Sequence, residues 1–192
     1  MKKIIIIGAG GSLAQYVTDA AKQLDDTALT LFARNKNRVS KRNNEGCTVI
    51  EGDALDYNSV KNAIAGQDIV YVNLAGGNLE PMAKNIVKAM QDTGVKRIIA
   101  ISSIGIYETP LSAVLIPYRK LADVIEASVL DYTILRPNWF TNTNEVDYAL
   151  TIKGEPEKGT AISRKSIAAF ISLIFSNPDL HKNQNLGISK PL

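Results

Sequence analysis

A run of β-branched residues, Lys3–Gly8, passes without interruption into Gly8-Ala9-Gly10-Gly11-Ser12-Leu13-Ala14 and from there into a helix-period segment. A strand with no polar face must be covered on both sides, so this run predicts the centre of a parallel sheet flanked by helices. Gly8 allows the tight turn off the strand, Gly10 or Gly11 lets backbone approach a pyrophosphate, and Ala14 is small enough for close packing of helix on sheet. Ser12 and Leu13 open the helix, whose free N–H groups and positive dipole end face the same point. A glycine pattern alone says little; the strand before it and the helix after it carry the reading.

The rest of the chain repeats the alternation. Strands are expected at Ala28–Ala33, Cys47–Ile50, Asp68–Leu74, Arg97–Ser102 and Tyr132–Leu135, the last closed by Pro137. Helices are expected over Ser12–Gln23, Ser59–Ala65, Glu80–Thr93 with Gly94 as its terminating glycine, and Tyr118–Ser128. This is an α/β pattern. Residues 138–162, with Asn138, Asn142, Asn144, Gly154, Pro156 and Gly159, read as irregular. Ser163 then caps an amphipathic helix over Lys165–Phe175, and Asn185–Ser189 adds a last strand. Without linker, repeat or low-complexity tract, residues 1–192 are expected to form one domain, with 138–162 as a small substrate-side segment.

Composition narrows the chemistry. One cysteine, Cys47, excludes an intrachain disulfide and a cysteine-rich metal site. One histidine, His181, excludes a histidine-cluster metal site, and its place after Asn177-Pro178-Asp179 makes it a surface loop residue. No metal is expected. A net charge of +3 with scattered basic residues gives no footprint for nucleic acid or membrane. Ile4–Ile7 is far too short for a bilayer span or a signal-peptide core, so a cytoplasmic location is expected.

The second strand bears on which dinucleotide is bound. An NAD site usually ends this strand with a carboxylate for the ribose 2′-hydroxyl. Here it ends Leu31-Phe32-Ala33-Arg34-Asn35, and Arg34 is placed for a charge-assisted contact to a 2′-phosphate, with Arg38 and less directly Lys36 in support. NADP(H) is therefore expected over NAD(H). Asp53, beside Ala54 at the ligand-collecting edge, either meets the adenine amine or caps a helix. Ala75 and Gly76 end the fourth strand with small residues that leave room for adenosine and ribose.

With these residues in place, the chain resembles atypical short-chain dehydrogenase/reductases of the NmrA-like, NAD(P)H-binding group, which are akin to NAD-dependent epimerase/dehydratases. The resemblance covers nearly the whole chain. It rests on the Gly8–Ala14 turn, Arg34, Gly52-Asp53, Ala75-Gly76, Ser102-Ser103 and above all Leu130-Asp131-Tyr132-Thr133-Ile134-Leu135-Arg136-Pro137. It implies a Rossmann-type doubly wound sheet of order 3-2-1-4-5-6, a seventh strand and a small C-terminal cap. It also implies that Pro137 and Asn138-Trp139-Phe140 border the cofactor and substrate pocket.

Typical short-chain reductases place a Tyr-x-x-x-Lys pair on the helix after the fifth strand, where the lysine lowers the tyrosine's pKa. This chain reads Tyr118-Arg119-Lys120-Leu121-Ala122, with alanine at the lysine position and Lys120 aimed elsewhere. The string at Tyr57–Lys61 lies on the adenine side and is a coincidence. Tyr118 either lines the pocket or packs with a wet hydroxyl. Ser102 and Ser103 lie beside the expected nicotinamide; they either bond a carbonyl substrate or only end the strand. Trp139 either stacks on a flat substrate or covers the nicotinamide. The expected function is an NADPH-dependent reductase of a small quinone-like or aromatic acceptor, with Tyr118 and Ser103 as catalytic candidates. The rival is an NADP(H) sensor acting through a protein partner. A homodimer is a third form of partnership left open by the sequence.

Overall fold

The computed structural model describes residues 1–192. Ten strands and six α-helices follow in the order β1 (Lys2–Ile7), α1 (Ser12–Ala21), β2 (Thr27–Ala33), α2 (Lys41–Asn44), β3 (Thr48–Glu51), α3 (Tyr57–Ile64), β4 (Ile69–Val72), α4 (Leu79–Thr93), β5 (Arg97–Ile101), α5 (Ile116–Glu126), β6 (Asp131–Pro137), β7 (Phe140–Thr141), β8 (Ala149–Ile152), β9 (Ile162–Ser163), α6 (Arg164–Ser176) and β10 (Gln184–Ser189). The main sheet has eight strands in the order β3-β2-β1-β4-β5-β6-β10-β8. All its pairs are parallel except β10 with β8. The strand order and the seventh strand are as the resemblance implied.

The isoleucine run sits in the middle because both faces need cover. Ile4 and Ile6 enter the core beneath α1 and α6, while Ile5 and Ile7 enter the core beneath α3, α4 and α5. All four are at most 1% exposed. Full burial of such a side chain stabilises by about 1.5–3 kcal/mol, so each residue of β1 contributes to holding two layers of helices. The predicted helix and strand ends shift by a few residues. Pro117 at the second position of α5 starts that helix before Tyr118, and Gly94 closes α4 in the left-handed conformation. Ser163 caps α6 by accepting a bond from the Ser166 amide, as its place in the sequence indicated.

Residues 138–162 are not wholly irregular. Phe140–Thr141 pairs with Ile162–Ser163 in a small second sheet, and Ala149–Ile152 adds an antiparallel edge strand to the main one. Short segments such as these derive their order from distant partners rather than from local propensity. His181, expected on the surface, is half-buried in a turn at φ +54°, its ring 5.2 Å from that of Phe170 and Nδ1 2.7 Å from Gln184 Oε1. No helix is long and apolar enough to cross a membrane. No group of three or more His, Cys, Asp or Glu is placed to hold a metal.

Candidate functional site

The parallel strands end together at one edge, and there a cavity of about 530 Å³ opens between the turns after β1, β2, β3 and β4. The turn after β1 forms its floor. Gly8 has φ +89°, and a Cβ there would lie 2.3 Å from the Asn73 carbonyl oxygen, so no other residue fits. A Cβ at Gly11 would lie 2.7 Å from Asn73 Nδ2. The backbone is thus bare where a ligand must come close.

Helix α1 begins at this floor with Gly11 as its N-cap and no side-chain cap. The amides of Ser12, Leu13 and Ala14 have no acceptor within the protein, and no acidic residue stands in the first turn. Three free N–H groups at the positive end of a helix make an anion site. Leu13 is 2% exposed with its side chain in the core, and neither it nor Ser12 is among the residues that line the cavity, so what both offer is a free amide.

Arg34, Asn35 and Arg38 form the wall beyond β2. Arg34 and Arg38 are exposed, and Asn35 folds the turn by accepting from the Asn37 amide at 2.9 Å. Arg38 lies across the glycine turn, with its Cβ 3.0 Å from where a Gly10 Cβ would be. Lys36 is not on the wall; its amide donates to Glu51 at 3.0 Å. Opposite stand Asp53 and Ala54 after β3, and Ala75 after β4. Asp53 is not a helix cap: it accepts from the Leu55 amide at 2.9 Å, and Asp56 caps α3. Gly76 follows at the rim with φ +112° but does not line the cavity.

Phe32, Ala33, Asn35, Asn73, Leu74 and Met82 also line this space without having been expected as site residues, and Gly52, one of the residues that carry the resemblance, lines it too. At Gly52 a Cβ would meet Ser59 Oγ at 2.2 Å and the Phe32 ring at 2.6 Å, so the backbone must be bare there. Asn73 lines the cavity because it directly follows β4 at the edge where the strands end, and Met82 because it stands in the first turn of α4.

The second half of the edge, beyond β5 and β6, is organised differently. Ser102 is 4% exposed and its hydroxyl donates to the Tyr118 carbonyl at 3.0 Å, fastening the start of α5. Ser102 is thereby a latch rather than a cavity residue, and Pro137 likewise serves by accepting from the Ile104 amide at 3.1 Å. Ser103 is half-buried on the loop that follows. Tyr118 packs against the core on the α5 side and stands outside the cavity. Lys120 pairs with Glu80 of α4 at 2.8 Å, and Ala122 is fully buried, so no lysine stands beside Tyr118. Tyr57, Lys61 and Asp92 cluster on α3 and α4, away from the cavity. Trp139 is 81% exposed, and the Phe140 ring lies 5.0 Å from the Arg164 guanidinium.

Behind this half lies a buried polar network. Arg136, 1% exposed, donates from Nε to Glu157 at 2.8 Å and from Nη1 to Asn185. Asn185 Nδ2 donates at 2.8 Å both to the Tyr107 hydroxyl and to Glu126, which pairs with Lys153 at 2.7 Å. Burial, followed by the Glu126 carboxylate, raises the Tyr107 hydroxyl above the usual tyrosine range.

The residues present fit a dinucleotide: bare glycine backbone, an open helix N-terminus, and room within the usual 300–1,000 Å³ of a cofactor cleft. The chain belongs to the NAD(P)H-binding family, whose model matches residues 8–178. It is similar to a Rossmann-fold NAD(P)-binding family protein from Shigella flexneri, at 43% identity and TM-score 0.91 over 100% of this chain and 94% of that one. A short-chain dehydrogenase/reductase from Veillonella parvula, solved in complex with NADP, matches at 26% identity and TM-score 0.88, covering 99% of this chain and 95% of that one. The phenylcoumaran benzylic ether reductase of Ginkgo biloba is 28% identical over 181 residues, 88% of this chain and 57% of its own length. The chain spans about half the length of the curated relatives it matches.

Proposed function

We propose that the protein is an NADPH-dependent reductase of a small quinone-like or aromatic acceptor. The observation that carries the cofactor half is the wall after β2, where two arginines and no carboxylate flank the cavity. A guanidinium matches a 2′-phosphate with parallel N–H bonds, and an acidic residue at this wall would repel it. The free amides of α1 receive the pyrophosphate, and Ala54 and Ala75 leave space for the adenosine.

Bound NADPH supplies a hydride, and reduction of a quinone to a hydroquinone then needs one proton. That proton can come from water, so the reaction does not require a tyrosine activated by lysine. The protein's share is to hold the acceptor in line with the cofactor, and positioning alone accounts for large rate effects. Trp139, two residues past the end of β6, offers an exposed flat surface for an aromatic acceptor. The reductase names of the curated relatives agree with this class of reaction.

One observation favours a second reading, an NADP(H) sensor that signals to a partner: Ser102 and Lys120 are engaged in structural bonds, and the buried Ala122 stands where a lysine would face Tyr118. The test is fluorescence titration with NADPH and NADH, followed by NADPH oxidation against a panel of small quinones. Tighter NADPH binding with turnover supports the reductase. Tight binding with no turnover on any acceptor transfers the assignment to the sensor. Absence of binding removes both.

A further inference from the structure

We infer that Glu157 is a positioning residue, which clamps the loop after β5 for use by the acceptor. This rests on the reductase reading for its kinetic consequence, but not for its geometry. Glu157 belongs to the segment between β8 and β9 and is a distant residue by sequence. Its carboxylate enters the gap between β6 and the loop carrying Ser103, Gly105 and Tyr107. Oε1 accepts from Arg136 Nε at 2.8 Å, and Oε2 accepts from the Gly105 amide at 2.9 Å. The loop is also tied by the amides of Ser102 to Leu135 and Ile104 to Pro137, by Arg119 to the Ile106 carbonyl and by Asn185 to the Tyr107 hydroxyl, but the Gly105 amide has its acceptor in Glu157.

The chemistry of the clamp is specific to a carboxylate. Both partners are N–H donors, so both oxygens must accept. A glutamine has one accepting oxygen, and its NH₂ would face a donor on one side or the other. Charge adds a second requirement. Arg136 is almost fully enclosed, and Glu126, the other carboxylate of the network, is already paired with Lys153. Removing the Glu157 charge therefore leaves a buried guanidinium without its counter-ion, which is strongly destabilising. The two roles can be separated, because replacing both partners with methionine removes the ion pair without leaving a lone charge, yet restores no acceptor to Gly105.

The test compares wild type, Glu157→Gln, and the double variant Arg136→Met with Glu157→Met. Each is measured for NADPH affinity, steady-state kinetics with a simple benzoquinone, thermal stability, and hydrogen exchange at the Gly105 amide. Glu157→Gln is expected to bind NADPH within about twofold of wild type and to lose roughly tenfold to a hundredfold in acceptor kcat/KM. Its Gly105 amide should exchange about fivefold to tenfold faster, as loss of one hydrogen bond implies. The double variant should regain thermal stability but neither Gly105 protection nor turnover. Recovery of turnover in the double variant would overturn the proposal, since it would leave Glu157 only as the counter-ion of Arg136. Should wild type fail to oxidise NADPH with any quinone offered, the reductase reading fails, and the clamp is decided by exchange alone. Faster exchange in Glu157→Gln then supports it, and unchanged exchange overturns it.

Discussion

Arg34 is exposed on an open wall, so its guanidinium keeps much of its hydration when a phosphate binds. Replacing it with alanine is expected to weaken NADPH binding by about 1.5 kcal/mol, the low end for a charged hydrogen bond. That is roughly a tenfold rise in Kd, with NADH nearly unaffected. Titration with both cofactors checks it, and equal losses would remove Arg34 from the 2′-phosphate. Tyr118→Phe should lower turnover by less than about 10²-fold, since Tyr118 stands outside the cavity and the buried Ala122 occupies the position one helical turn on. Stopped turnover with NADPH binding intact would restore Tyr118 as a proton donor. At this scale the cofactor half was the readable half. Gly8, Gly10, Gly11, Arg34, Arg38, Asp53, Ala54 and Ala75 all line the cavity, because the glycine turn and the strand ends place them by local geometry. Ser102 and Pro137 stand outside this cavity, where the Ser102 hydroxyl bonds the Tyr118 carbonyl and the Pro137 carbonyl accepts from the Ile104 amide.

Helices α4 and α5 are pinned together by one carboxylate. Glu80 bonds Lys84 on its own helix at 2.7 Å and Lys120 on the neighbour at 2.8 Å. Hydrogen bonds from Lys120 and then Lys84 lower its pKa to about 2, below the 4.5 of an unperturbed glutamate. A carboxylate whose folded pKa is depressed stabilises the fold above the unfolded value and loses that contribution as pH falls through the folded one. Thermal unfolding should therefore show part of its acid-induced decline between pH 4.5 and 2, and Glu80→Gln should flatten that part of the profile. The pair is partly exposed and screened, so high salt should produce the same flattening in wild type. This pin also explains Lys120, which lies two positions from Tyr118 and is held toward α4. Elements with strong periodicity were legible from sequence to within a few residues. The strands inside 138–162 were not: β8 carries only four residues and is ordered by its antiparallel match to β10, a partner more than thirty positions away.

At the scale of the whole molecule, the two apolar cores share β1 and lie back to back across one sheet. Strands that serve both cores couple them, so we expect residues 1–192 to unfold as one cooperative unit. Phe170 of α6 provides the test. It is 1% exposed, with Tyr148 edge-on at 5.4 Å and His181 at 5.2 Å, and it stands on the α1 side without lining the cofactor cavity. Phe170→Ala should cost about 3–5 kcal/mol through lost burial and the cavity left behind. For a domain of this size that lowers Tm on the order of 10 °C. Ligand that binds only the folded form adds RT ln(1 + [L]/Kd), about 2.7 kcal/mol at a hundredfold excess over Kd. Because the substitution touches α6 and not the cavity, NADPH should stabilise the variant and wild type by the same free energy. A single transition with equal NADPH stabilisation supports one unit with an independent cofactor site. Two transitions, with only one of them shifted by NADPH, would divide the chain at the α6 layer. A smaller stabilisation in the variant would mean that the packing of α6 on α1 sets the position of the free amides at Ser12, Leu13 and Ala14.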